Sequence, residues 1–78
     1  MIDDSDALQN IAANVSRLRG KRSKSWLARE VGTYAINISR IESGENMPGA
    51  GLLCRVAEAL DTTMEGLLCQ PKKIKKSG

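Results

Sequence analysis

Apolar residues recur along this chain at helical spacing, and polar or glycine-containing breaks divide them into five short blocks. Leu8, Ile11, Ala12, Val15 and Leu18 keep the i, i+3, i+4, i+7 rhythm of one buried face, which predicts a helix from about Ser5 to Arg19. Ser5 is placed to cap it, Asp6 suits the positive end of its dipole, Arg17 and Arg19 suit the other end, and Gly20 stops it. Leu27, Ala28 and Val31 predict a second helix over 24–31, capped by Ser23 without the Glu of a capping box. Gly32 offers the positive φ that a tight inter-helix turn needs. A third helix over about 35–43 follows Thr33 or Tyr34, turns Ile38 and Ile41 inward and closes at Gly44. After a glycine-rich loop, a fourth helix starts near Ala50 or Gly51 and carries Leu53, Val56, Ala57 and Leu60 as its core stripe, with Leu52 on the opposite side. Asp61 and Thr62 interrupt the stripe. Thr63 then caps a short last helix with Met64, Leu67 and Leu68, ended by Pro71.

The 78 residues make one small domain with no internal repeat. With no Phe, one Trp and one Tyr, its core must be aliphatic, which suits packed helices better than a sandwich or barrel. The second and third helices hold the most information. Leu27, Ala28, Val31, Ile38 and Ile41 are spaced to bury against one another, which leaves Ile36, Asn37 and Arg40 on the outward face of the third helix. At about 100° per residue, Ile36 lies roughly 200° round from Ile38 and points away from the core. Contact with thymine methyl groups would explain an exposed Ile there; a lone surface Ile is also ordinary. A helix held on one side and free on the other suits insertion into the DNA major groove.

Charge sharpens that picture through its distribution. The chain carries a net +3. Between residues 17 and 40, however, seven cations (Arg17, Arg19, Lys21, Arg22, Lys24, Arg29 and Arg40) face one acid, Glu30, a local net of +6. Asp3, Asp4 and Asp6 sit instead at the N-terminus. Charge separated in this way fits one face turned to a polyanion, or a solvated surface with the usual lysines.

Two cysteines and no histidine cannot supply a four-ligand zinc site. Cys54 and Cys69 fall in predicted helices among apolar residues and are expected to be reduced thiols at or near the core, with a stapling disulfide as the minor alternative. The acidic N-terminus lacks the apolar stretch of a secretion signal, and no apolar run approaches the ~20 residues of a membrane span, so a cytoplasmic protein is expected. No nucleophile with an activating partner, phosphate loop or metal set is present, which argues against an enzyme; no cofactor, metal or small-molecule ligand is called for.

Leu27-Ala28, Gly32, the block Ile38-Ser39-Arg40-Ile41-Glu42, Gly44, Pro48 and the stripe ending at Leu60 occur in the order and spacing of a known family. The chain from its first helix to Leu68 resembles the Cro/C1-type helix-turn-helix proteins of phage and bacterial repressors. The resemblance implies an all-α, five-helix, lambda-repressor-like fold. The resemblance also implies a homodimer on a palindromic operator, with the third helix in the major groove. The chain then divides into an acidic flexible N-terminus (1–4), the helix-turn-helix domain (5–70) and a basic tail (71–78) that its lysine-rich composition predicts to be disordered.

Carried over by position, Ser23 and Lys24 stand at the family's phosphate clamp, where free helix-start amides suit an anion. Tyr34, Ala35, Ile36, Asn37, Ser39 and Arg40 occupy positions that face DNA. Asn37 can pair with an adenine edge, Arg40 can reach a guanine or a phosphate, and Ala35 and Ile36 can touch thymine methyls. Tyr34 can donate its hydroxyl to a phosphate or cap the third helix. Asn46 stands in the loop that contacts the backbone. Arg19 is expected to pair with Glu42. Leu52, Thr62, Met64 and Leu68 are candidates for a dimer surface. Trp26 replaces the family's usual surface Glu beside a segment about two residues shorter than is common, and is expected to pack over that loop rather than against DNA. The same fold also serves antitoxins and restriction–modification controllers, or an interaction module that does not read DNA. Lys24, Asn37 and Arg40 argue against the last.

Overall fold

The computed structural model describes residues 4–69, with side chains from Asp6 onward. All regular structure in that range is helical: α1 (Asp4–Arg19), α2 (Lys24–Val31), α3 (Ala35–Ser43), α4 (Ala50–Ala59) and α5 (Met64–Leu68). The main packing contacts close a ring. α1 packs on α3 and α5, α2 packs on α3 and α4, and α4 packs on α5. Inside the ring lie Ile11, Val15, Leu27, Val31, Ile38, Ile41, Leu53, Val56, Leu60 and Leu67, with the smaller Ala28 and Ala57 among them. The all-α, five-helix expectation is met.

Local signals set most of the boundaries. The Ser23 hydroxyl accepts from the Trp26 amide at 2.9 Å and starts α2. Gly32 and Gly44, both at φ 77°, end α2 and α3 in the left-handed conformation that glycine adopts without a Cβ penalty. The Thr63 hydroxyl accepts from the Gly66 amide at 2.9 Å and starts α5.

Four expectations need correction. α1 begins at Asp4, so Ser5 lies inside its first turn and is not the cap. Cys54 and Cys69 are exposed rather than near the core. Cys54 shares the outer face of α4 with Arg55 and Glu58, and Cys69 falls one residue past the end of α5. Leu52 is not opposite the core stripe. It is about 40° round the helix from Val56, at the stripe's edge, and is half-buried against the core. Pro71, the lysines of 71–78 and Asp3 lie outside the described residues.

A polar network that periodicity did not predict joins the two ends of the domain. Asn14 is fully buried, and its amide Nδ2 lies within 2.8 Å of the Leu67 and Cys69 carbonyls and 3.2 Å of the Gly66 carbonyl. One turn earlier, Asn10 donates to the Leu68 carbonyl at 2.9 Å. Together they satisfy the carbonyls that the end of a short helix leaves unpaired. At the opposite corner, Arg55 of α4 donates through Nε to the Val31 carbonyl at 3.0 Å, closing the end of α2.

Candidate nucleic-acid interface

Ile38 and Ile41 anchor α3 in the core, each buried side chain contributing roughly 2 kcal/mol. The geometry of a single turn then places Ile36 and Arg40 outward. Ile36 is 57% exposed, Tyr34 is 75% exposed, and Arg40 is exposed as well. Asn37 and Ser39 are half-buried on the flanks of that face, and Ala35 is half-buried at the first turn. Tyr34 is the N-cap residue of α3 by its backbone, its carbonyl accepting from the Asn37 amide at 2.9 Å. Its side chain makes no cap hydrogen bond, so the hydroxyl points away from the role of cap.

The angle at which α3 is presented is set from behind. Arg19, the last residue of α1, grips Glu42 with two parallel hydrogen bonds, Nε to Oε2 at 2.6 Å and Nη2 to Oε1 at 2.8 Å. Only 7% of the Glu42 side chain is exposed. A third donor, Nη1, reaches the Arg22 carbonyl at 2.5 Å and ties down the α1–α2 loop. The Glu42 hydrogen bonds, more than the bare charge, raise the guanidinium pKa above its ordinary value, against desolvation that lowers it. The expected Arg19–Glu42 pair is therefore present, and it spends both charges internally.

Two more cations of the basic stretch are also committed. Arg22 folds back to the Leu18 carbonyl at 3.1 Å and lays its guanidinium 4.2 Å above the Trp26 ring. Trp26 is half-buried against the core, as expected of a residue covering a short loop. Arg17 donates to Asn14 Oδ1 at 3.1 Å. Lys21, Lys24, Arg29 and Arg40 make no such internal contact among the described residues.

Helix starts add a second electrostatic feature. α2, α3 and α4 have no acid in their first turns, whereas α5 has Glu65 and α1 opens with Asp4 and Asp6. In α2 the Ser23 hydroxyl and carbonyl take the Trp26 and Leu27 amides, leaving those of Lys24 and Ser25 without a partner inside the helix. A positive helix end carrying a lysine suits an oxyanion. Asn46 is exposed in the loop between α3 and α4, beside Met47.

The dimer candidates fare differently. Leu52, Met64 and Leu68 are each half-buried against this chain's own core. Thr62 is half-buried, with its hydroxyl over Gly66. Sequence reasoning missed Thr33, Asn10, Asn14 and Arg55. The two asparagines had a readable signal, since Asn14 is three residues after Ile11 and four before Leu18 and so shares their buried stripe. Thr33 stands four residues before Asn37, a readable i, i+4 spacing, whereas Arg55 acts through a contact that no spacing rule marks.

Two short helices joined at a left-handed glycine, the second braced from behind and open in front, define a helix-turn-helix DNA-binding domain. The chain belongs to the helix-turn-helix family of Cro/C1 type, whose profile matches residues 15–67. Its fold is similar to that of a hypothetical transcription factor, NHTF, from Neisseria, known from a crystal structure. The two superpose with a TM-score of 0.78 at 24% identity, covering 91% of this chain and 85% of that one. No curated protein matches the chain in sequence. No helix among the described residues is long and apolar enough to cross a membrane.

Proposed function

We propose that this protein is a sequence-specific transcriptional regulator that represses by occupying a palindromic operator as a homodimer. The observation that carries the reading is the two-sidedness of α3: Ile38 and Ile41 fix one face, and Ile36 and Arg40 stand exposed on the other, with Asn37 at its flank. In this reading α3 enters the major groove. The open start of α2, with Ser23 and Lys24, receives a backbone phosphate, as do Tyr34 and Asn46 at the edges. Arg40 and Asn37 read base edges, while Ala35 and Ile36 meet thymine methyls. Ser39 lies along the same groove wall. A second protomer docks through the half-buried Leu52, Thr62, Met64 and Leu68. Two exposed thiols without a disulfide fit a reducing, cytoplasmic compartment.

Selection of bound duplexes from a random library at near-physiological salt tests the reading. A two-fold symmetric site with half-sites about one helical turn apart is the expected result. Enrichment of no sequence, with only salt-sensitive retention of DNA, would refute it.

A further inference from the structure

Thr33 belongs to neither helix of the helix-turn-helix pair. Its amide donates to the Ala28 carbonyl at 2.8 Å, one residue beyond the left-handed Gly32, so it is the last residue of the motif that closes α2. Its hydroxyl reaches the other way. Thr33 Oγ1 accepts a hydrogen bond from Asn37 Nδ2 at 2.7 Å, across the first turn of α3. Both side chains are half-buried, so water competes only in part for this bond. One residue of the turn thus touches the end of the first helix through its backbone and a side chain on the flank of the second helix's outer face through its hydroxyl.

We propose that Thr33 is a positioning residue that aims the Asn37 amide at one base pair. The inference rests on the reading of α3 as the helix that enters the groove. An asparagine amide has two N–H donors and one carbonyl acceptor. The match to a base edge needs Thr33 to hold the N–H anti to the carbonyl, so that the syn donor and the acceptor remain side by side. That is the complement of the adenine major-groove edge, where N6–H donates and N7 accepts. Without the hydroxyl, the amide rotates about χ2 and presents donor or acceptor to the same spot. Ordering it again on binding would cost roughly 2- to 12-fold in affinity, the range for one immobilised side chain. The loss falls only on the base pair that Asn37 reads, because Thr33 itself faces the turn.

The test uses the full chain and three variants against the library-selected site and its single-base-pair substitutions. Asn37→Ala identifies the base pair that Asn37 reads, as the one position where discrimination collapses. Thr33→Val keeps the branched shape and removes only the hydroxyl. It is expected to reduce discrimination at that same pair by roughly 2- to 12-fold and to leave the other positions within about twofold. Thr33→Ser restores the acceptor and should restore the discrimination, which a merely structural role for Thr33 does not require. The inference is overturned if Asn37→Ala changes no single position, if Thr33→Val keeps full discrimination, or if its loss is uniform across all positions and not rescued by Ser. Failure of the wild-type protein to select any site is a different result and overturns the underlying reading of α3.

Discussion

Glu42 sits on α3, the helix proposed to enter the groove, but on its inner side, and its side chain is almost wholly buried. A carboxylate in that place is tolerable only because Arg19 meets both of its oxygens in the fork geometry that guanidinium and carboxylate share. Removing either partner leaves the other charge buried and uncompensated, which costs roughly 3–5 kcal/mol. Arg19 also holds the Arg22 carbonyl and keeps part of its side chain in water, so the lower end of that range is expected for Glu42→Ala. Arg19→Ala, Glu42→Ala and the double variant, compared by chemical denaturation, should show strong non-additivity, the double variant being little worse than either single one. Additive losses would mean that the pair is not a coupled unit. The guanidinium pKa is raised, so its contribution is complete below the unfolded-state value and fades only as pH climbs past the folded one. No alkaline loss of stability from Arg19 is therefore expected near neutrality.

At the scale of elements, the junction of α4 and α5 leaves little room at Gly66. Just past the end of α4, Asp61 takes the left-handed region at φ 60°, and the Thr62 amide bonds back to the Ala57 carbonyl at 2.8 Å. A Cβ on Gly66 would stand 2.6 Å from the Thr62 hydroxyl oxygen and 3.2 Å from that of Thr63, the cap of α5. Gly66→Ala is therefore expected to destabilise the domain by about 1–2 kcal/mol, the cost of mild overpacking, although alanine is the better helix former. Adding Thr62→Ala removes the nearer obstacle and should return the melting temperature to wild type or slightly above it. If Gly66→Ala alone is neutral, the Thr62 side chain turns aside freely and the close approach has no energetic weight.

This junction also shows what the sequence disclosed. Caps and left-handed glycines are local chemistry, so Ser23, Gly32, Gly44 and Thr63 placed four limits of three helices, α2, α3 and α5, from the chain alone. The outward placing of Ile36 followed from 100° per residue, and the Arg19–Glu42 pair from family resemblance. What stayed hidden depends on which helices meet. Asn14 and Arg55 work by reaching carbonyls 53 and 24 residues away in sequence. Leu52 and Cys54 differ in burial because of where the edge of the α4 stripe falls against its neighbours.

For the whole molecule, the consequence of the internal contacts is a smaller electrostatic footprint than the raw count of cations implies. Glu42 holds Arg19, and the exposed Arg17 and Arg22 turn to Asn14 and the Trp26 face, so in the proposed reading Lys21, Lys24, Arg29 and Arg40 are the cations left to meet phosphates. Each phosphate neutralised on duplex DNA contributes about −0.9 to the slope of log K against log salt. Four cations in each of two protomers give a slope of about −7, or about −5 if Arg40 reads a base instead of a phosphate. Engagement of all seven cations of residues 17–40 would give about −13, far outside that interval. The measurement is operator binding from low to moderate salt, made on the full chain and on a chain ending at Gln70, which retains every described residue. The shortened chain is expected to fall between about −5 and −7 with unchanged sequence preference, and any steeper slope of the full chain is then the work of Lys72, Lys73, Lys75 and Lys76. A slope near −13 in the shortened chain would show that Arg17, Arg19 and Arg22 release their partners on DNA, and that the braced arrangement of α3 belongs to the free protein alone.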